Sequence, residues 1–126
     1  MSKFKDRIIQ IVRSIPKGKV ASYSQVALIA GYPRGAQQVG WVLHTVGGEN
    51  GTPWWRVINN QGRISTKCLE HTPSIQKQML EEDGITVAKN LDIDIEKYRW
   101  RPSVAKLKQL GLSEEYTYII ENKYYH

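Results

Sequence analysis

The sequence predicts a mostly α-helical domain that carries a small β wing and is built around a helix-turn-helix. Three observations support this fold. Apolar residues recur at helical spacing near the amino terminus, two short helical patterns flank a Gly/Pro turn, and two short β patterns flank a polar turn further on. The chain has 126 residues, close to the usual size of one domain. We therefore expect a single core.

The first element is a helix with one apolar face. Its apolar residues share that face because they repeat with the helical period. They are Phe4, Ile8, Ile11, Val12 and Ile15. Pro16 and Gly18 then end the helix, since neither residue continues a helix well. This helix is predicted to be scaffold.

The next two helices form the predicted helix-turn-helix. Ser22 and Gln25 fit a capping box, in which the Ser22 hydroxyl caps the helix and the Gln25 side chain reaches back to the Ser22 N–H. Gly31 ends this short helix. After a turn over residues 32–35, the segment 36–46 again carries apolar residues at helical spacing. Two short helices joined by such a turn are typical of a helix-turn-helix.

The β wing is predicted from the segment that follows. Residues 47–52 contain three glycines and predict a loop, because glycine weakens both helices and strands. Residues 55–58 and 63–65 then predict two strands joined by a polar turn that ends in Gly62. A hairpin of this kind would form the wing of a winged helix-turn-helix.

Further helices are predicted in the second half of the chain. Thr72 and Pro73 fit the N-cap and first position of a helix that Gly84 ends. The remaining patterns predict a short strand at 85–88 and helices at 104–110 and 114–123. We therefore divide the chain into a winged helix-turn-helix domain at residues 1–102 and a C-terminal helical extension at residues 103–126.

Positive charge is concentrated in the first half of the chain. Residues 1–67 hold ten Lys and Arg against two acidic residues, a net charge of +8, whereas residues 68–126 have a net charge of −2. A polyanion-binding face needs such an excess, because each neutralised phosphate releases counterions. A basic surface that serves solubility alone is the other interpretation.

Composition argues against several classes of protein. The sequence has no run of about 18 apolar residues, and its first residues lack the apolar stretch of a secretory signal. Cys68 is the single cysteine, so an internal disulfide is excluded, and it shows no zinc-ligand spacing with the three histidines. We expect an intracellular protein with no membrane partner, no metal and no cofactor.

Four motifs together carry a family resemblance. They are Ile15–Val20, Ser22–Ala27, Ala36–Gly40 and the Pro-Trp-Trp-Arg-Val-Ile signature at 53–58. In this order they resemble the DNA-binding domain of the O6-alkylguanine-DNA alkyltransferases, whose signature reads P-C-H-R-V, over residues 4–102. Tryptophan in place of the cysteine is similar to the alkyltransferase-like proteins, relatives that bind alkylated DNA without transferring the alkyl group. The fold expected is a winged helix-turn-helix of the alkyltransferase type.

The resemblance implies a lesion pocket at the signature. Trp54 takes the position of the nucleophilic cysteine, while Trp55 and Asp83 match the histidine and glutamate that activate it. An indole is neither a nucleophile nor a proton acceptor at neutral pH, so no catalytic residue is expected. Trp54 is expected to face the flipped-out base, with a core tryptophan as the other interpretation, and Trp55 is expected to contact the base or pack beneath it. Arg56 is expected to make hydrogen bonds that support the site.

Other positions match residues through which the family holds DNA. Tyr23 matches the tyrosine that engages the phosphate backbone as the nucleotide turns out. Gln37 stands where the family has an arginine that enters the minor groove and fills the gap, and Arg34, one turn earlier, could compensate for the missing charge. Gly40 matches the glycine that lets the recognition helix approach DNA closely, although helix packing explains it almost as well.

Two basic residues of the wing complete the expected interface. Arg63 and Lys67 could pair with phosphate or with the damaged base, and a solvated surface position explains them equally well. The partner implied by the resemblance is double-stranded DNA containing O6-alkylguanine, bound by a monomer through the minor groove. Hand-over to nucleotide excision repair proteins follows by analogy alone. The expected location is nuclear in a eukaryote and the cytoplasm or nucleoid otherwise.

Two other functions remain open on the sequence. A winged-helix transcription regulator explains the basic first half but leaves the signature at 53–58 unexplained, and such regulators usually dimerise on palindromes. An active alkyltransferase that uses Cys68 is the enzymatic alternative, although no base is patterned beside that cysteine.

Overall fold

The computed structural model describes residues 3–46, 51–64, 73–112 and 114–124. In chain order its helices and strands are α1 (Lys3–Arg13), β1 (Ala21–Ser22), α2 (Tyr23–Ile29), α3 (Ala36–Val46), β2 (Val57–Ile58), α4 (Pro73–Glu82), α5 (Ile95–Tyr98), α6 (Val104–Gln109) and α7 (Glu114–Tyr124). The fold is mostly helical with a small two-stranded sheet, and this confirms the predicted class. Within the described ranges no helix is both long and apolar enough to cross a membrane.

The helix-turn-helix forms where the sequence predicts it. The Ser22 hydroxyl accepts a hydrogen bond from the Gln25 N–H at 3.1 Å and so caps α2. Gly31 ends α2 with a φ of +87°, a backbone conformation in which glycine carries no steric cost, and the following N–H bonds to the Ala27 carbonyl. Helix α3 has the predicted bounds, Ala36–Val46.

The side chain of Gln25 does not complete the predicted capping box. Its Nε2 donates to the Trp100 carbonyl at 2.7 Å, and its Oε1 accepts from Arg99 Nη1 at 3.0 Å. Gln25 is fully buried, and a buried amide needs partners for both of its polar groups. These distant partners therefore replace the local one. They fix α2 against the segment that ends at Trp100, which also exchanges a backbone hydrogen bond with Val20.

Of the predicted hairpin only the turn forms, with the Asn59 N–H donating to the Arg63 carbonyl. The predicted pairing of its two strands is wrong for the described residues, and Ser65 lies outside them. Residues 54–56 form a turn of 3-10 helix, and β2 pairs in parallel with β1, with Ala21 opposite Val57. The second predicted strand bonds elsewhere, since the Ile64 N–H donates to the Leu91 carbonyl. Gly62 is required beside it, because a Cβ there would lie 2.5 Å from the Ile93 carbonyl oxygen. The sequence pattern located an extended segment at residues 57–58 but did not indicate which strand it pairs with.

The remaining helices agree with the sequence, with one addition. Helix α4 begins at Pro73, while its predicted cap Thr72 lies outside the described residues. The C-terminal helices α6 and α7 form as predicted. The strand predicted at 85–88 is wrong, because these residues are irregular chain. Helix α5 was not predicted, and it is capped by the Asp94 side chain, which accepts from the Lys97 N–H.

Two clusters of buried side chains form the core. The larger one joins α1, α2 and α3 to residues of α6 and α7, and the smaller one gathers apolar residues from β2, α4 and the segment 85–95. The signature segment lies between the clusters. Trp54 and Val57 belong to the larger, Ile58 belongs to the smaller, and Trp55 packs against both. The candidate site is therefore held on two sides.

Candidate nucleic-acid interface

The signature is held by one carboxylate with three donors. Asp83 Oδ2 accepts from Trp55 Nε1 at 2.9 Å and from Arg56 Nε at 2.8 Å, while Arg56 Nη2 donates to Asp83 Oδ1 at 3.1 Å. Arg56 Nη1 also donates to the Ile15 carbonyl at 3.0 Å. The two charged side chains are 15 % and 7 % exposed. Arg56 thus forms a bidentate ion pair inside the protein. Its role at a DNA site stays a prediction.

The environment keeps Asp83 ionised. Burial acts to raise the pKa of Asp83, but hydrogen bonds from Arg56 and Trp55 and the positive charges of Arg56 and Lys17 outweigh it and hold the pKa below the ordinary value. The carboxylate therefore accepts three hydrogen bonds from Trp55 and Arg56 and carries a negative charge. It accepts the indole N–H of Trp55, so this hydrogen bond fixes the orientation of the Trp55 side chain.

Trp54 is mostly buried. Its side chain is 8 % exposed and packs in the larger core cluster, with its ring edge-to-face against Trp55 at a centroid distance of 6.1 Å. This geometry fixes the orientation of the ring. The adjacent guanidinium of Arg56 lies 5.4 Å from the centre of the Trp55 ring. The two tryptophans and the arginine therefore form one rigid unit.

Gln76 supports the same segment and was not singled out in the sequence. Its Nε2 donates to the carbonyls of Trp55 and Val57 at 3.0 and 3.1 Å. It is buried on α4 one turn before Leu80, and together these two residues form the buried side of the helix. That four-residue spacing could have shown that a polar side chain faces the core. Gln76 thus bonds the backbone of the signature to α4.

Tyr23 and Gly40 face each other between the two helices of the helix-turn-helix. Tyr23 is half-buried against the larger core cluster, and burial raises the pKa of its phenol, which keeps it protonated and able to donate a hydrogen bond. A Cβ at Gly40 would lie 3.9 Å from Tyr23 Cε1, which is an ordinary contact. Packing inside the described chain therefore does not require glycine at this position.

The outer face of α3 is exposed. Arg34 precedes the helix, Gln37 lies in its first turn, and Trp41 follows one turn later with 65 % of its surface exposed. Trp41 was not picked out in the sequence, although its four-residue spacing from Gln37 places both on one face. Residues 21–46, which include both helices of the helix-turn-helix, contain no Asp or Glu. These helices themselves therefore add no negative charge that would repel a polyanion.

The basic residues after the signature have different surroundings. Arg63 Nε lies 2.9 Å from Asp92 Oδ1, in a pair whose side chains are 53 % and 51 % exposed. Its charge is therefore partly neutralised, and it lies beside residue 92 instead of on a hairpin. Lys67 and Cys68 both lie outside the described residues.

Comparison with known proteins identifies the family. The family model for the "6-O-methylguanine DNA methyltransferase, DNA binding domain" matches residues 3–85. A DNA base-flipping protein of Vibrio parahaemolyticus serotype O3:K6 (strain AQ3810) is 42% identical over 102 residues, covering 81% of this chain and 100% of that protein. Alkyltransferase-like protein 1 of Schizosaccharomyces pombe (strain 972) is 33% identical over 106 residues, covering 81% and 98%.

A solved structure agrees with these relatives. The crystal structure of the S. pombe alkyltransferase-like protein in complex with damaged DNA containing O6-carboxymethylguanine has a TM-score of 0.75 at 33% identity, covering 81% of this chain and 98% of that one. Fold and signature thus define a DNA-binding domain of the alkyltransferase type. The chain belongs to the alkyltransferase-like proteins of this family, as its sequence predicts.

Proposed function

We propose that this protein recognises O6-alkylguanine in duplex DNA, turns the damaged nucleotide out of the helix and holds it at the signature without repairing it. The observation that carries this proposal is the Trp55–Asp83 hydrogen bond beside Trp54. Tryptophans occupy the positions of thiol and base, and the carboxylate that would orient the base is hydrogen-bonded by Trp55 and Arg56 instead. The relatives named for base flipping and the complex with damaged DNA support the same function.

The pocket receives the base by stacking and shape. Alkyl transfer needs a thiolate and a nearby base to generate it. Trp54 and Trp55 offer no thiol and no proton acceptor, and the carboxylate of Asp83 is already bonded to Trp55 and Arg56. Trp54, 8 % exposed in this structure, would become the apolar wall against which the base lies once DNA is bound, and such a wall tolerates alkyl groups of different size. Stacking of a base on an aromatic ring contributes about 1–3 kcal/mol.

The helix-turn-helix holds the DNA on its minor-groove side. Tyr23 donates its phenolic hydrogen to a backbone phosphate, and Gln37 fills the space that the extruded base leaves. Arg34 supplies the positive charge that Gln37 lacks. Because Gly40 has no side chain, α3 can lie close to the DNA backbone. Arg63 and Lys67 add phosphate contacts. The protein acts as a monomer, and hand-over to nucleotide excision repair, in the nucleus or nucleoid, extends the proposal by analogy.

Paired binding and mass measurements test this function. Fluorescence anisotropy with matched duplexes should show tighter binding of O6-methylguanine than of guanine, and intact-mass spectrometry should then show an unmodified protein. Equal affinity for the two duplexes would favour the transcription regulator. A mass gain of one methyl group that disappears in Cys68→Ser would instead identify an active alkyltransferase.

Gly40→Ala should separate folding from DNA binding. Alanine in a helix is about 1 kcal/mol more favourable than glycine, and the new methyl group meets only Tyr23 at van der Waals distance, so the free energy of unfolding should rise. Binding of duplex DNA should weaken several-fold, because the new methyl group lies on the surface that is proposed to face the DNA backbone. Thermal unfolding and anisotropy measure the two effects. A more stable variant with unchanged affinity would remove Gly40 from the interface.

A further inference from the structure

We propose that Trp41 is a DNA-binding residue whose indole packs into the minor groove beside the extruded nucleotide. The proposal rests on the proposed function and adds a contact to it. Trp41 is a large apolar side chain that is 65 % exposed on α3, one helical turn after Gln37. Proteins that bend or open DNA from the minor groove commonly insert apolar side chains between or against base steps.

The ring of Trp41 lies beside one aromatic neighbour and borders a shallow cavity. The imidazole of His44 lies 6.1 Å from the Trp41 ring, tilted by 53°. The cavity has a volume of about 230 Å³ and is lined by Trp41 together with Phe4 and Lys5 of α1 and Gln38 of α3. An exposed indole offers a large apolar surface to a ligand at little entropic cost, since only two side-chain torsions need to be fixed.

Charge favours DNA as the occupant of this face. The segment from Ala21 to Val46 contains Arg34 and His44 but no acidic residue, and it belongs to the part of the chain that carries the net charge of +8. The helix-turn-helix therefore adds no negative charge that would repel the DNA phosphates from Trp41. The adjacent surface at Gly40 has no side chain, so the backbone of α3 and the indole can reach the groove together.

Trp41 also compensates for the arginine that the family has at the position of Gln37. Glutamine has no charge and no planar fork, so it holds the gap in the base stack less firmly than arginine does. An indole one turn along the same face adds apolar contact where the duplex is opened. Extrusion of the base is then supported by two side chains, with Gln37 in the gap and Trp41 against the neighbouring sugar and base edges.

Affinity measurements with matched aromatic variants test the proposal. Trp41→Ala should weaken binding of the O6-methylguanine duplex about tenfold, in line with the loss of one aromatic–base contact. Tyr118→Ala is the control, because Tyr118 is similarly exposed, at 68 %, but lies on α7. A 2-aminopurine placed beside the lesion should brighten less with Trp41→Ala than with either the control or the wild type.

Tryptophan fluorescence gives a second, independent measurement. Trp54 and Trp100 are buried and Trp55 is half-buried, so acrylamide quenches chiefly Trp41 in the free protein. Saturating duplex should reduce that quenching in the wild type and leave it unchanged in Trp41→Phe. If the wild type prefers the lesion but Trp41→Ala binds equally well and quenching is unaffected by DNA, this inference fails alone. If the wild type shows no preference for the lesion, the proposed function fails with it.

Discussion

Raising the salt concentration from about 50 to about 200 mM should weaken binding of duplex DNA roughly a thousandfold. Residues 1–67 carry the net charge of +8, and we expect about six of their cations to neutralise phosphates. Each such contact releases condensed counterions, so the logarithm of the binding constant falls linearly with the logarithm of the salt concentration. Anisotropy titrations across this range should give a slope of about −5.

One arginine variant and one lysine variant show which part of the chain supplies the charge that binds DNA. Arg34→Ala should make the salt slope shallower by about one, because it removes one phosphate contact. Lys108→Ala should leave the slope unchanged, since Lys108 is an exposed cation on α6 in the acidic half of the chain. A wild-type slope near zero, or equal changes in both variants, would contradict a DNA interface built on the first half.

Asp83→Ala should lower the free energy of unfolding by about 3 kcal/mol, or roughly 10 °C in Tm. The substitution leaves the guanidinium of Arg56, which is 15 % exposed, without its carboxylate, and it leaves the indole N–H of Trp55 without an acceptor. Removing one member of a buried pair costs far more than the pair itself contributes. Thermal and urea unfolding measure the loss.

The exposed pair Arg63–Asp92 provides the matched control. Both of its side chains are about half exposed, so solvent screens the interaction, and Asp92→Ala should cost less than about 1 kcal/mol. Equal losses from the two aspartate variants would mean that the buried position of Asp83 does not strengthen its ion pair.

Acid should abolish part of this stabilisation. The pKa of Asp83 is depressed in the folded protein, so its contribution is complete above the unfolded pKa of about 3.9 and is lost as the pH falls through the lower, folded value. The difference in stability between the wild type and Asp83→Asn should therefore be constant from neutral pH to about pH 4 and should narrow below that. A difference that begins to narrow near neutral pH would contradict the depressed pKa.

Local patterns predicted the helices well. The bounds of α3 were predicted to the residue, and α4 begins at the predicted Pro73, because periodicity, turn residues and proline act within one or two turns of the chain. The Ser22 cap is equally local. Such signals do not depend on what the rest of the fold does.

Pairings between distant segments could not be predicted in the same way. The extended residues 57–58 pair with β1, 36 positions earlier in the register Ala21 to Val57, and no local signal specifies that partner. Gln25 fits a capping box in sequence, yet Arg99 and Trp100 take its side chain. Tertiary contacts therefore overrode local ones at both positions.

The candidate site was predicted from motif positions and completed by geometry. The motif match aligned Trp55 and Asp83 with a histidine and a glutamate, and the structure brings them to 2.9 Å. The motif gave no indication that Arg56 also bonds the carboxylate of Asp83, or that Gln76 bonds the backbone of the signature. Those contacts depend on how α1 and α4 meet the signature, which is a property of the assembled core. The roles of the site residues toward DNA stay predictions.

The position of Val20 bears on the order in which this protein folds. Val20 bonds through its N–H and its carbonyl to Tyr98 and Trp100, while the next two residues pair with β2. Contacts between such distant segments form late, because closing long loops costs chain entropy. The core cluster around α1, α2 and α3 also contains Leu107 of α6 and Ile120 of α7, and Gln25 bonds α2 to Trp100. On a ribosome the helix-turn-helix can therefore reach its final packing only after the C-terminal helices have been synthesised.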